Sequence, residues 1–263
     1  MADIRSIVIL TGAGISAESG LATFRAAAGL WEGHRVEDVA TPEAFVRDPA
    51  LVHGFYDARR AKLAAVRPNA AHEALARLDA QWPGELLLVT QNVDDLHERA
   101  GAKRLIHMHG ELTKGWCVAC GQRFAWVGSM SPSHVHHQGS PSTSSGKSEG
   151  NVCPVCRVAG QVRPDIVWFG EMPYAMELIE DALRGCDLFV SIGTSGAVYP
   201  AAGFVQTARY CGARTLEINL EPSLGSYLFD ESRSGKAGQE VPKWVDEVLL
   251  SSPERGGGTF IEE

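Results

Sequence analysis

Five groups of residues in this chain have types and spacings suited to chemistry. The first is Thr11-Gly12-Ala13-Gly14-Ile15-Ser16-Ala17, directly behind the apolar run Ile4 to Leu10. Gly-x-Gly-x-x-Ala after a strand is the layout of a dinucleotide-phosphate site. The first glycine permits a tight turn, the second lets a pyrophosphate approach the backbone, and the small third residue lets helix pack on strand. The second group is Thr90-Gln91-Asn92-Val93-Asp94. Its carboxamides and carboxylate can hydrogen-bond a ribose or an amide, or can simply cap a following helix. The third is His107-Met108-His109-Gly110, because an imidazole titrates near neutrality and can take a proton from a hydroxyl at physiological pH. His107 is read as structural and turned away from the site. The fourth is Cys117-Val118-Ala119-Cys120 with Cys153-Pro154-Val155-Cys156. Four thiolates from two tight knuckles fill a tetrahedral zinc and leave no place for a reacting water, so the site is structural. The fifth is Tyr56 and Arg59, three apart on a predicted helix and so on one face. A phenol beside a guanidinium fork suits one carboxylate. Arg60 and Lys62 next door leave an exposed basic helix face as the bland alternative.

The elements that must position these groups alternate. Strands are predicted at Ile4–Leu10, Leu86–Val89, Asp187–Ile192 and Arg214–Leu220, with helices such as Ala70–Asp79 and Tyr174–Leu183 between them. Alternation of this kind predicts an α/β fold, a Rossmann-like parallel sheet with crossover connections. The strand ends carry the words at 11–14 and 90–92, then Gly193-Thr194-Ser195 and Asn219-Leu220-Glu221. In an open parallel sheet ligands bind along that edge, so the four words converge on one site. Two stretches interrupt the alternation and predict a smaller inserted domain, residues 31–62 (with a helix from Pro49 to Leu63) and 112–163 (with the cysteines). The Rossmann-like domain is then 1–30, 63–111 and 164–263. Residues 129–150 turn to Ser, Gly, His and Pro, a composition that reads as a flexible loop. The 32 residues, 121 to 152, between the cysteine pairs exceed the usual ~15–20. Loop closure grows only logarithmically costly, so the ribbon survives the insertion. His134, His136 and His137 inside it are read as solvated loop residues.

At 263 residues and 44% hydrophobic content the chain is globular, with one large domain or a large and a small one. A net charge of −8 argues against nucleic acid as a partner. No apolar run reaches membrane length and Met1-Ala2-Asp3 lacks a basic leader, so no membrane role is expected and the setting is read as cytoplasmic. Two of the six cysteines, Cys186 and Cys211, lie outside the pairs in apolar or helical contexts and are expected to be buried thiols.

Taken together, the glycine loop, the Gln91-Asn92-Val93-Asp94 word, His109-Gly110 and the cysteine pairs resemble the sirtuins, NAD-consuming protein deacylases, over nearly the whole chain. The resemblance implies NAD as a consumed co-substrate, one structural zinc and acyl-lysine proteins or peptides as substrates. It implies His109 as the general base. The acyl-lysine carbonyl oxygen attacks the ribose carbon that carries nicotinamide. A ribose hydroxyl, deprotonated by His109, then attacks the adduct, and the products are lysine, nicotinamide and O-acyl-ADP-ribose. Cofactor contacts are implied at Gly12, Ala13, Gly14 and Ser16, and in a mobile loop at Thr23, Phe24, Arg25 and Trp31. Others are implied at Gln91, Asn92 and Asp94, at Gly193, Thr194 and Ser195, at Asn219, Leu220 and Glu221, and at Ala237. Where the common family form has Pro-Asp before Phe-Arg, this chain has Ala22-Thr23. Val167, Trp168, Phe169, Gly170 and Glu171 match the segment that pairs with substrate backbone, a mode that needs little side-chain specificity. The Tyr56-x-x-Arg59 arrangement is similar to that of the bacterial-type desuccinylase and demalonylase class. Two enzyme alternatives remain, protein mono-ADP-ribosylation and an NAD(P)-dependent oxidoreductase. The latter is disfavoured because no strand with an acidic ribose ligand follows the glycines. A zinc-ribbon binding module without catalysis is opposed by His109 and the Gln-Asn-x-Asp word.

Overall fold

The computed structural model describes residues 4–23, 30–31, 33–126, 128–130 and 151–251, with backbone alone at 30 and 31. In chain order the strands are β1 (Ser6–Thr11), β2 (Leu30–Trp31), β3 (His34–Arg35), β4 (Glu85–Thr90), β5 (Leu105–His107), β6 (Gly110–Cys117), β7 (Arg123–Ala125), β8 (Val162–Ile166), β9 (Leu188–Ile192), β10 (Arg214–Asn219) and β11 (Glu231–Ser234). The helices are α1 (Val36–Val39), α2 (Pro42–Arg47), α3 (Pro49–Ala65), α4 (Ala70–Gln81), α5 (Leu96–Ala100), α6 (Met176–Gly185), α7 (Phe204–Tyr210) and α8 (Ala237–Leu250).

Six strands form one sheet in the order β11-β10-β9-β1-β4-β5, and every ladder in it is parallel. Strand periodicity sorts its side chains. Ile7 and Ile9 of β1, Leu88 of β4 and Val190 and Ile192 of β9 join one core with Leu75 and Leu78 of α4 and Val241 and Trp244 of α8. Val8, Leu10, Val89 and Phe189 face the other way, against Ile179 and Leu183 of α6 and Phe204 and Ala208 of α7. A sheet buried on both faces needs apolar residues at both registers, and β1 reads as the continuous run Ile7-Val8-Ile9-Leu10. From β1 the chain goes to β4 on one flank and later to β9 on the other, so the order reverses between β1 and β9. That is where an open α/β sheet forms its ligand crevice.

The three-stranded antiparallel sheet β7-β6-β8 carries the cysteine knuckles at its end. A third core joins helices α1 to α3 to Leu112 of β6, Ile166 of β8 and Trp168. Helix α3 starts as its sequence dictates: Asp48 accepts from the Leu51 amide at 2.9 Å and Pro49 sits at the first helical position, where its missing N–H costs nothing.

The structure departs from the sequence reading in particular places. The edge strands β5 and β11 have three and four residues, too short for a periodic signal. Cys186 is buried, but Cys211 is exposed, because it terminates α7 rather than facing the sheet. Met130, at the start of the Ser/Gly-rich stretch, is fully buried, and its amide donates to Asp57 Oδ1 of α3 at 2.9 Å. His134, His136 and His137 lie outside the described residues, as does the rest of that stretch to 150. No helix among the described residues is long and apolar enough to cross a membrane.

Candidate functional site

At the β1/β9 crevice the glycine loop meets the loop after β9, backbone to backbone. The Gly12 amide donates to Ile192 O at 3.0 Å and the Gly14 amide to Gly193 O at 2.9 Å. A Cβ on Gly12 would lie 2.8 Å from Gly193 O, and one on Gly14 2.7 Å from Gly193 Cα. Gly12 itself is extended (φ −124°), so its need for glycine is steric rather than conformational. Residues Ala13–Ser19 form a 3₁₀ helix, and Ile15 and Ser16 insert from it while Ala17 is exposed. The small third residue therefore does not pack on the strand as the motif suggests. From β9, Thr194 is buried on Ser191 Oγ (2.9 Å), and Asn219 Nδ2 donates to Thr194 O at 2.7 Å. Ser195, Leu220 and Glu221 are exposed at the same edge, and Ala237 opens α8 with its side chain buried. The glycines thus let the loop after β1 and the loop after β9 pack backbone on backbone at the sheet edge where NAD is expected. Thr23 is described and exposed. Phe24 and Arg25 and the Trp31 side chain lie outside the described residues.

Residues 90–93, from the last residue of β4 onward, are held carbonyl by carbonyl. Thr90 O accepts from the Met108 amide (3.1 Å) and Val93 O from the Leu112 amide (2.8 Å). Between them, Gln91 O and Asn92 O each lie 3.1 Å from a histidine Nδ1, that of His109 and of His107 respectively. The Asn92 side chain points inward and donates to Gly12 O (3.1 Å) and Ser16 Oγ (3.2 Å), and Ser16 Oγ donates to Asp94 Oδ2 at 3.0 Å. Asp94 also accepts from the Leu96 amide at 3.2 Å, one residue ahead of Asp95, the N-cap position of α5. Burial raises the Asp94 pKa, while the Leu96 amide, Ser16 and the charge of His107 work the other way.

Because a carbonyl oxygen only accepts, the proton of neutral His109 sits on Nδ1, and Nε2 presents a lone pair. Burial lowers the pKa of His109, with the Gln91 contact opposing. The neutral, basic form therefore persists to lower pH than an ordinary histidine's 6.5. We expect the acid limb of kcat/KM for acyl peptide to fall below that value, measured as a pH–rate profile.

The four cysteine sulfurs lie within 4.8 Å of one another, with Cys117–Cys156 and Cys120–Cys153 both at 3.7 Å. Zinc–thiolate bonds of ~2.3 Å in a tetrahedron require sulfurs ~3.8 Å apart, so the donor set fits the ion. The knuckles are alike: the Gly121 amide closes on Cys117 O (2.8 Å) and the Arg157 amide on Cys153 O (3.0 Å).

On α3, Tyr56 is fully buried and its hydroxyl accepts from Trp168 Nε1 at 2.9 Å. Burial pushes its pKa up, with the charges of Arg59 and Arg163 opposing, so the phenol stays protonated. Arg59 is buried beside it, its guanidinium 3.3 Å over the Phe55 ring and Nη1 on Phe55 O at 3.1 Å. The exposed-helix-face alternative thus fails for these two residues. The 167–171 segment is more internally bonded than a free strand edge. The Val167 amide goes to His109 O (2.9 Å), Phe169 to Ala40 O (3.0 Å) and Trp168 to Glu171 Oε2 (2.8 Å). The Glu171 amide closes on Trp168 O (3.0 Å), and Gly170 supplies the turn at φ +90°. Glu171 faces inward, paired with buried Arg163, whose guanidinium lies 3.4 Å over Trp168.

Sequence reasoning missed the supports. Asn69 caps α4 through the Ala71 amide (3.0 Å) and its Nδ2 holds Ile15 O (2.8 Å), tying that helix to the glycine loop. The Asn69 amide donates to His72 Nδ1 (3.3 Å), and His72 Nε2 lies 3.4 Å from Ser16 Oγ. The word Asn69-Ala70-Ala71-His72 before an apolar helix was the available signal, a capping box with histidine in the glutamate's place. Arg163 gave no local signal.

The chain matches the Sir2 family over residues 12–200. A curated Vibrio parahaemolyticus relative, NAD-dependent protein deacylase, is 55% identical over 247 residues, spanning 93% of this chain and 95% of its own. A Caulobacter vibrioides relative of the same name is 52% identical over 252 residues, 95% of this chain and 99% of its own. Among solved structures, a Sir2 homologue in complex with NAD superposes with a TM-score of 0.80 at 35% identity, covering 96% of this chain and 92% of that one.

Proposed function

The chain belongs to the Sir2 family, and we propose that, as an NAD-dependent protein-lysine deacylase, it removes acidic acyl groups, succinyl and malonyl, as well as acetyl. NAD, when bound, would supply the ribose carbon that the acyl oxygen attacks as nicotinamide leaves and the ribose hydroxyl that takes up the acyl group, and it is consumed. Gly12, Ala13, Gly14 and Ser16 receive the diphosphate, Gln91, Asn92 and Asp94 the ribose and carboxamide, and the 193–195 and 219–221 words with Ala237 the adenosine end. Thr23, Phe24, Arg25 and Trp31 belong to the same loop reading. His109 holds its own proton on Nδ1 and accepts the hydroxyl proton at Nε2. Zinc on Cys117, Cys120, Cys153 and Cys156 holds the antiparallel sheet in shape. We also assign 31–62 and 112–163 to a small domain beside the parallel sheet, and the protein to the cytoplasm.

One observation carries the acyl preference. The Arg59 guanidinium is buried against Phe55 beside Tyr56, whose hydroxyl is bonded to Trp168 of the 167–171 segment. A guanidinium and a phenol at the inner end of the peptide segment are placed for a carboxylate at the tip of an acyl-lysine. A hydrogen bond to a charged group contributes roughly 1.5–3 kcal/mol, so Arg59→Met is expected to lower desuccinylation efficiency about 10- to 150-fold. Deacetylation should change far less, because acetyl offers no carboxylate. Tyr56→Phe acts in the same direction, more weakly. Comparing succinyl- and acetyl-peptides on both enzymes decides it, and an equal fall on both assigns Arg59 to the fold instead.

A further inference from the structure

We propose that His107 is a positioning residue for NAD: as an imidazolium clamped between Glu98 and the Asn92 carbonyl, it holds the 91–94 loop in its binding shape. Its Nδ1 lies 3.1 Å from Asn92 O and its Nε2 2.6 Å from Glu98 Oε1. Both partners are acceptors, so both ring nitrogens carry protons and the ring is a cation. His109, two residues on, makes the matching contact to Gln91 O through Nδ1 alone. The pair divides the labour: one histidine stays neutral and keeps a lone pair, the other spends both nitrogens on holding the loop.

The loop is where this matters. Of its four consecutive carbonyls at 90–93, two are held by amides and two by these imidazoles. The charged contact falls on Asn92, whose side chain reaches Gly12 O and Ser16 Oγ of the neighbouring loop after β1. If Asn92 O loses its donor, that side chain loses its anchor at the glycine loop.

Every charged or titratable neighbour bears on this cation. Glu98 comes from α5, Glu111 and Lys114 from β6, and Asp94 and His97 from the stretch between β4 and the end of α5. Lys114 is itself paired with Glu111, which leaves Glu98 as the carboxylate on Nε2. Burial works against the charge, but Glu98, the Asn92 carbonyl and Glu111 outweigh it, and the His107 pKa is raised. The clamp is therefore present below that raised pKa and lost as pH climbs through it. In turn the imidazolium opposes the desolvation of Asp94.

The inference rests on 91–94 being a cofactor contact, so Asn92→Ala is measured alongside. His107→Leu is expected to raise KM for NAD about tenfold with kcat within about twofold, the size of one lost charge-assisted hydrogen bond. In the wild type KM for NAD should rise above the His107 pKa. In Glu98→Gln, which keeps the shape and removes the charge, that rise should move to lower pH. NMR titration of the His107 ring nitrogens should show the cation in the wild type persisting above pH 6.5, the ordinary histidine value. The proposal falls if His107→Leu leaves KM for NAD unchanged, or if the Glu98→Gln profile superimposes on the wild type. If His107→Leu does not fold, Glu98→Gln decides alone. If Asn92→Ala also leaves KM untouched, the cofactor reading of the loop has failed, not merely the role of His107.

Discussion

His109→Ala is expected to lower NAD-dependent deacylation by about 10²- to 10⁴-fold, the range for loss of a positioned general base, while the fold, zinc content and NAD binding persist. The first half follows from geometry. The Gln91 carbonyl fixes the Nδ1 tautomer, so the basic lone pair is on Nε2, and burial keeps the ring neutral at working pH. The second half follows from how little else the ring holds. Its described side-chain bond is the one to Gln91 O, and the neighbouring carbonyls keep their donors from Met108 N and Leu112 N. Product formation from NAD and acyl-peptide, with NAD affinity by calorimetry, separates the two halves. Near-wild-type deacylation by the variant would remove His109 from the chemistry. The same assay separates the rivals: an oxidoreductase yields reduced cofactor, and an ADP-ribosyltransferase yields modified protein without loss of acyl groups.

What the sequence made legible was local. A cysteine pair, a His-Gly word and a glycine loop each declare themselves within a few residues, because their chemistry needs those residues near one another in the chain. Less legible was what each residue is pressed against. The glycine at 12 looked like a turn-former, and in the structure it is extended and small because Gly193 O lies where a Cβ would go. The 167–171 segment looked like an open strand, yet four of its amides are used within the chain, one of them on the Glu171 carboxylate. Arg163 went unread because its partners, Glu171 and Trp168, come together only when β8 is built. His107 looked like a bystander since nothing in the local word says that α5 brings Glu98 to its ring. Histidine roles are set by the acceptor opposite each nitrogen, which is tertiary information.

Zinc removal should have the larger structural effect, and the size of the small core explains why. Beneath the cysteines, among the described residues, only Cys117, Cys153 and Val162 are fully buried together, with Phe124, Trp126 and Cys156 packed partly against them. Two of those three buried residues are themselves ligands, so without the ion this end of the β7-β6-β8 sheet has almost no apolar burial to hold it. The ion supplies the difference, since structural zinc contributes apparent binding of about 10–16 kcal/mol to a folded ribbon at neutral pH. Cys153→Ser is therefore expected to lose the single zinc and unfold β6 to β8, measured by metal analysis and hydrogen exchange. The parallel sheet should survive, because its two cores draw on other strands and on α4, α6, α7 and α8. Activity should nevertheless disappear. Strand β8 carries Arg163, whose guanidinium stacks on the Trp168 that bonds Tyr56, and β6 begins at Gly110, directly after His109. A protein with full activity and no zinc would contradict this, and so would a Cys153→Ser variant that keeps β6 to β8 protected. NAD binding gives the internal control: the Gly12–Gly193 contact lies on the other sheet, so a zinc-free chain should still bind the dinucleotide while failing to bind acyl-lysine.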